Sequence, residues 1–153
     1  MSDPFYPNSA NFVSRIMAFA IDFIILQSIH FLLFVLLADK LMQSAYIEPL
    51  ALLALLALFP LVFLVVFLLL HMVYFTLFHA LSGQTIGKMI MGIKVVGDEN
   101  KPASLAVAFL RWSGYILSFV PLAVGFLWAA VDKEQCAWHD RLARTRVIST
   151  EMT

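Results

Sequence analysis

The sequence contains a single cysteine and few charged residues. Cys136 stands alone among 153 residues, which excludes an internal disulfide framework and a cysteine-based metal cluster. Ten acidic and ten basic residues give a formal net charge of zero, so no overall basic field favours nucleic acid as a partner. Charged residues make up 13% of the chain, about half the share found in ordinary soluble domains.

The charged residues are also unevenly placed, and three long stretches contain none. These stretches are residues 23–38, 49–87 and 112–131. A helix needs roughly 20 apolar residues to cross the hydrocarbon core of a bilayer. The first and third stretches are at or near that length, and the second far exceeds it. Since 62% of all residues are hydrophobic, the chain is predicted to be an all-α integral membrane protein.

Two of the stretches predict membrane-spanning helices. The first helix is expected from about Ser14 to Leu37. The residues before it are polar and include no Lys or Arg, which is unlike a cleaved signal peptide. The second is expected from Pro49, a residue suited to a first helical turn, to about Leu81. It is too long for one upright crossing, so it must tilt, bend at Pro60 or extend past the headgroups.

The third stretch, residues 112–131, is broken by glycine, serine and proline. It is either a re-entrant hairpin or a third span. Basic residues concentrate in cytoplasmic loops. With a cytoplasmic start and a re-entrant hairpin, nine of the ten basic residues lie inside and only Lys40 outside, whereas a full crossing divides them five to five. This asymmetry favours the hairpin, with both termini in the cytoplasm.

Two short β-branched segments predict a small cytoplasmic β-ribbon. Ile93 to Val96 is bounded by glycines, and Thr145 to Ile148 has the same character. We expect the two segments to pair in an antiparallel ribbon on one side of the membrane.

Several motifs have ordinary explanations. The turn at residues 83–88 has three residues between its glycines and Met89 after its lysine, so it fails the phosphate-loop pattern and predicts a tight turn leaving the bilayer. His71 and His79 lack metal-helix spacing and are interpreted as interfacial histidines. Cys136 lies three positions from His139; we interpret it as a small surface or interface residue.

Asp22 is the most informative residue because it lies within the first span. Arg15 precedes it by seven positions, almost two helical turns, so both project from nearly the same side. A contact between them, direct or through one water, is expected. Ser14, Ala18 and Asp22 form a stripe suited to helix contacts. A carboxylate in a membrane must face protein or water; it is either a cation or proton site or part of a structural ion pair.

Three stretches resemble known signatures. Residues 15–22 begin with arginine and end with aspartate, residues 83–96 hold the Gly-Gln-Thr-Ile-Gly-Lys turn and Gly-Ile-Lys-Val-Val, and residues 138–148 begin Trp-His-Asp-Arg. In this order they resemble the RDD family of small membrane proteins, named for an arginine and an aspartate in the first helix and a second aspartate near the end. The resemblance makes Asp140 the second aspartate, with Asp132 as the competing candidate. Arg144 departs from the family's usual glycine, and we expect this position to face solvent without a positive φ.

The resemblance implies a membrane domain over residues 13–148, between a flexible segment, residues 1–12, and a tail, residues 149–153. It also implies a site that binds an ion or proton or holds a structural charge pair, without a catalytic or metal-binding residue. The principal residues of this site are Arg15, Asp22 and Asp140, and the supporting residues are Gln84, Thr85, Lys88, Arg111 and Asp132.

For function, the resemblance implies transport, in its concrete version Na⁺/H⁺ exchange through Asp22 in an oligomer. The alternative is a non-catalytic assembly or regulatory factor whose polar stripe docks a partner's helix. Neither is an enzyme or needs a cofactor. The expected partners are the lipid bilayer, further copies or another membrane protein, and a monovalent cation or proton, but no nucleic acid. The expected location is the bacterial cytoplasmic (inner) membrane.

Overall fold

Two long helices dominate the chain. The computed structural model describes residues 9–43, 49–97 and 101–150, and predictions for the remaining residues lie outside it. Helix α1 covers Phe12–Gln43 and α2 covers Pro49–Leu81, with Pro60 inside it. Their segments Phe12–Lys40 and Leu56–Leu81 are long and apolar enough to cross a membrane. The two predicted membrane helices are therefore confirmed, and the chain stays helical through Pro60.

Shorter elements follow α2. They are α3 (Ile86–Ile90), β1 (Ile93–Val96), α4 (Leu105–Phe119), α5 (Val124–Val131), α6 (Trp138–Leu142) and β2 (Arg146–Ser149).

Strands β1 and β2 form an antiparallel ribbon in which Ile93 lies opposite Ser149 and Val96 opposite Arg146. The predicted ribbon is confirmed, with its second strand one residue later than expected. Ser9 extends it through a bridge to Ile148, so the described end of the amino-terminal segment lies against β2. Because β1 and β2 flank α4 and α5, the ribbon brings both ends of the third hydrophobic segment together.

The third segment is broken, as predicted. Helices α4 and α5 meet at a bend of 97°, and Leu122 and Ala123 between them have positive φ angles of 54° and 61°. Gly125 at the start of α5 lies against Ser118 of α4, where a Cβ would come within 2.6 Å of Ser118 Cα. A glycine is therefore needed for the chain to fold back on α4.

The chain divides into two compact units. Unit 1 comprises residues 1–22 and 72–153, and unit 2 comprises residues 23–71. In unit 2 the ring of His30 stacks on Phe63 with centroids 4.0 Å apart, and Phe34 packs edge-on against Phe63. Every site residue predicted from the sequence belongs to unit 1.

Candidate functional site: two buried carboxylates

Among the described residues of unit 1, two carboxylates, Asp22 on α1 and Asp140 on α6, are 0% exposed. A charge removed from water is strongly unfavourable unless other groups bond to it. The two carboxylates satisfy this requirement in different ways, one with neutral donors and the other with arginines.

Asp22 accepts three hydrogen bonds from neutral groups. The hydroxyl of Tyr74 donates to Oδ1 at 2.7 Å, the N–H of Gly87 donates to Oδ1 at 2.7 Å, and the Thr85 hydroxyl donates to Oδ2 at 2.5 Å. The Tyr74 oxygen itself accepts from the N–H of Ile86 at 3.1 Å. That bond orients the phenol so that its own proton points to Asp22.

The turn before α3 and the first turn of α3 supply one donor each, the Thr85 hydroxyl and the Gly87 N–H. Gly83 has a φ of +72°, which glycine adopts at little cost. Thr85 caps α3, accepting from the N–H of Lys88 at 3.3 Å while its proton goes to Asp22. A Cβ on Gly87 would collide with the backbone carbonyl oxygen of Ala18. The predicted tight turn is confirmed, and it acts as a carboxylate-binding turn.

Gln84, predicted to support the site, bonds elsewhere. Its side-chain amide donates to the carbonyl oxygen of Ile93 at 3.0 Å. Gln84 therefore holds the turn against β1.

Asp140 is held by two arginines. Arg15 Nη1 donates to Oδ2 at 2.8 Å, Arg111 Nη2 lies 2.5 Å from Oδ1, and the N–H of Ala137 donates to Oδ2 at 2.9 Å. Burial opposes ionisation of Asp140, but Arg111, His139 and Arg15 outweigh it and hold the pKa of Asp140 well below its usual value. Arg111 also bonds the Thr145 hydroxyl.

Arg15 does not make the predicted contact with Asp22. Its Nε donates to the carbonyl oxygen of Ala10 at 3.2 Å and its Nη2 to that of Val147 at 3.4 Å, while Nη1 bonds Asp140. The prediction is wrong because the guanidinium at the start of α1 turns to the ribbon and α6. Seven residues of helix also separate Arg15 and Asp22 by about 10.5 Å of rise.

Lys88 lies beside both carboxylates. It is 7% exposed, and its Nζ lies 5.9 Å from the centroid of the Phe75 ring. Burial, reinforced by Arg111, lowers the pKa of Lys88 to about 8, although Asp22 and Asp140 oppose the shift. Lys88 is therefore able to lose its proton close to physiological pH.

Two buried histidines were not identified as site residues from the sequence. His79, interpreted as interfacial, is 0% exposed and its ring lies 6.4 Å from that of Tyr115. The ring of His139 meets Tyr115 edge-on at 4.5 Å. Burial lowers the pKa of His139 to about 3 despite the neighbouring Asp140, so His139 is neutral at physiological pH. For His139, the position next to Asp140 in the closing signature was the one feature of the sequence that could have marked it as a site residue.

Asp132 lies apart from the two buried carboxylates, Asp22 and Asp140. It pairs with Arg141 at 2.5 Å and accepts from the N–H of Cys136 at 3.0 Å. The side chain of Arg141 is 55% exposed and that of Asp132 is 9% exposed, so Arg141 holds this pair at the surface. Asp140, the other candidate for the second aspartate, is the buried one. Cys136 is also buried, contrary to its interpretation as a surface or interface residue, and burial raises the pKa of its thiol.

The contact stripe predicted on α1 is covered by unit 1 itself. Ala18 and Asp22 are both 0% exposed, and Gly87 of α3 lies against Ala18. Tyr74 of α2 and residues Thr85 and Gly87 close over Asp22 within a single chain. Across the described ranges, no group of three or more acidic, histidine or cysteine side chains is placed to hold a metal ion.

Comparison with known proteins supports the resemblance to the RDD family. The model of the RDD family matches residues 9–144. The chain is also similar to the uncharacterized protein YxaI of Bacillus subtilis (strain 168), with 34% identity over 64 residues, and this alignment covers 42% of each chain. No solved structure matches the chain. Because the family model spans nearly the whole sequence, including both buried aspartates, the chain belongs to the RDD family.

Proposed function

We propose that this membrane protein exchanges a monovalent cation, Na⁺ in the simplest case, for protons at Asp22, without catalysing a chemical reaction. The observation that carries this proposal is the bonding of Asp22. It is a fully buried carboxylate bonded by Tyr74, Thr85 and Gly87, and among the described residues no arginine or lysine bonds it directly. Its charge therefore has to be balanced by a mobile cation or by a neighbouring charge that can be removed.

The groups around Asp22 suit both a proton and Na⁺. Hard cations prefer oxygen ligands, and the Asp22 carboxylate lies with the hydroxyl oxygens of Tyr74 and Thr85. Each hydroxyl can rotate its proton away and offer a lone pair instead. The same carboxylate can bind a proton when the cation leaves, and competition for one site is the requirement for exchange.

Lys88 couples the binding of a cation to the release of a proton. Its positive charge interacts favourably with Asp22, and burial lowers the pKa of Lys88 to about 8. While Lys88 is protonated it balances the charge of Asp22 and weakens the binding of another cation. When Lys88 loses its proton, Asp22 gains affinity for Na⁺. We therefore expect cation binding to release protons and exchange to rise with pH toward 8.

The proposal includes an oligomer in a bacterial cytoplasmic membrane. Two membrane helices and a broken segment are few for a complete ion path, so we place the path between copies of the chain. The ribbon and both termini are assigned to the cytoplasm. The nine-to-one distribution of basic residues supports this assignment, as does the pairing of β1 with β2 at both ends of the third segment.

Ion flux in proteoliposomes tests the proposal. A Na⁺ gradient should drive proton movement through wild-type protein, and Asp22→Asn, which keeps the shape and removes the charge, should abolish it. Asp132→Asn removes a carboxylate from a surface pair and should leave the flux unchanged. The proposal is wrong if Asp22→Asn accumulates normally and transports like wild type. Failure of Asp22→Asn to accumulate would make Asp22 architectural and favour the assembly or regulatory function.

A further inference from the structure

Unit 1 contains a pocket of about 250 Å³ outside the membrane-spanning helices. It lies between the end of β1 and the segment around α6. Three arginines, Arg141, Arg144 and Arg146, line it together with Glu134, Asp140 and Thr145. The three arginines lie within one short segment, in α6, in the turn after it and in β2, and all of them line this pocket.

Two of the arginines already have carboxylate partners. Arg141 pairs with Asp132 at 2.5 Å and Arg146 lies 3.5 Å from Glu134. Asp140, at the base of the pocket, is bound by Arg15 and Arg111. Within the described part of the chain Arg144 forms no ion pair. The pocket therefore keeps the positive charge of Arg144, beside two guanidinium groups held in place by their partners.

The backbone at Arg144 is unusual for an arginine. Its φ is +49°, in the left-handed region that glycine adopts readily and other residues adopt at a cost. The expectation that this position avoids a positive φ was therefore wrong. The turn is fixed by neighbouring bonds: the N–H of Arg144 donates to the carbonyl oxygen of Arg141 at 3.2 Å, and that of Thr145 to Asp140 at 2.9 Å. An arginine here costs conformational stability, which indicates that its guanidinium is useful in the pocket.

We propose that this pocket binds a phosphate group, with Arg144 as its principal anchor. Guanidinium groups form paired hydrogen bonds with phosphate oxygens, and arginine is preferred where such planar recognition matters. The volume is below that of typical pockets for drug-sized ligands, so it suits a phosphate with a small substituent. An anionic phospholipid headgroup and a free phosphate share this chemistry.

The pocket is connected to the buried ion pair of Arg111 and Asp140. Thr145 lines the pocket and its hydroxyl bonds Arg111, while Asp140 forms the base and pairs with Arg111. An anion at Arg144 would therefore stabilise the segment that holds Asp140. We expect its binding to raise the thermal stability of the whole protein.

Thermal unfolding of the full chain in nanodiscs tests this site. One arm titrates inorganic phosphate into phosphatidylcholine discs at constant ionic strength, and the other replaces part of the lipid with phosphatidylglycerol. We expect a saturable rise in melting temperature in at least one arm. A rise with phosphate identifies a free anion as the ligand, and a rise with phosphatidylglycerol alone identifies the lipid headgroup.

Three variants establish whether Arg144 is responsible. Arg144→Gln should weaken the half-maximal response about tenfold, as loss of one charge-assisted contact implies. Lys133→Gln removes an exposed positive charge outside the pocket and should respond like wild type. Arg144→Gly fits the left-handed backbone, so it should melt higher than wild type without ligand and lose the ligand-dependent rise. If Arg144→Gln does not fold, Arg144→Gly still shows whether the response to ligand depends on the guanidinium.

Two results would overturn the proposal. One is the absence of any rise in both arms for wild-type protein. The other is a rise in the Arg144→Gly variant equal to that of wild type, since the site would then not depend on the guanidinium.

Discussion

Arg15 and Asp140 are 125 positions apart in the sequence, yet Arg15 Nη1 lies 2.8 Å from Asp140 Oδ2. This ion pair joins the start of the first membrane helix to the short helix α6 near the end of the chain. Arg111 of α4 completes it from the other carboxylate oxygen at 2.5 Å. One buried carboxylate thus connects three elements of unit 1, whereas among the described residues Asp22 is bound by neutral donors alone.

Replacing Asp140 with asparagine should strongly destabilise the protein. The change leaves Arg111, 1% exposed, and Arg15 without a compensating charge, and breaking a buried pair costs roughly 3–5 kcal/mol. The expected result is a lower melting temperature and less folded protein in the membrane. Asp132→Asn is the matched control, since it breaks a surface pair worth at most about 1 kcal/mol. Equal stability of the two variants would contradict the structural role of Asp140.

Acidification should destabilise the protein through His139. Its pKa is lowered from 6.5 to about 3 in the folded protein, so the unfolded chain binds more protons between these values. His139 does not destabilise the fold above pH 6.5. Below that pH its contribution lowers the free energy of unfolding, by up to about 1.4 kcal/mol per pH unit. The contribution of Asp140, whose pKa is lowered from 3.8, is lost only at lower pH.

Two variants isolate the contribution of His139. His139→Phe keeps a ring between Tyr115 and Phe126 and should make the dependence of melting temperature on pH shallower between about 4 and 6.5. Ser118→Ala removes the hydroxyl that lies 3.4 Å from Nδ1 but keeps the titrating ring, so its slope should match wild type. An unchanged slope in His139→Phe would assign the acid sensitivity to another group.

Gly87→Ala should disrupt the Asp22 centre. A methyl group at Gly87 would collide with the backbone of Ala18, and neither backbone can move without shifting the Gly87 N–H away from Asp22. We expect a loss of about 1–3 kcal/mol, typical of overpacking. Gly97→Ala is the control because, among the residues that the structure describes, the nearest heavy atom to its new Cβ would be 3.8 Å away. Thermal unfolding of both variants in nanodiscs gives the comparison, and equal melting temperatures would show that Gly87 is not constrained.

The topology predicts a common side for the two ends of the third segment. Lys101 and Lys133 flank α4 and α5 and are both exposed, and the ribbon joins the chain on either side of them. Single cysteines at these positions, in a Cys136→Ala background, should react with a membrane-impermeant reagent from the cytoplasmic face only. Labelling from opposite faces would show a third crossing and contradict the re-entrant hairpin.

The sequence determined the membrane class and the course of the chain. Charge-free stretches of sufficient length predicted α1 and α2, because a bilayer excludes charge over a fixed thickness. Glycine and proline predicted the broken third segment, and the β-branched runs predicted the ribbon, since these signals are local. The position of a carboxylate inside a membrane span selected Asp22, and the RDD resemblance selected Asp140.

The partners of those residues were decided only by the tertiary structure. Helical spacing suggested that Arg15 lies near Asp22, but the guanidinium pairs with a carboxylate 125 positions away, and no local pattern specifies such a contact. Thr85 reaches Asp22 because the turn before α3 folds against α1, and Tyr74 reaches it from α2. His79 was interpreted as interfacial from the sequence, yet it is buried, as is His139. Burial and ion pairing depend on which elements pack together, and that packing is set by the whole chain.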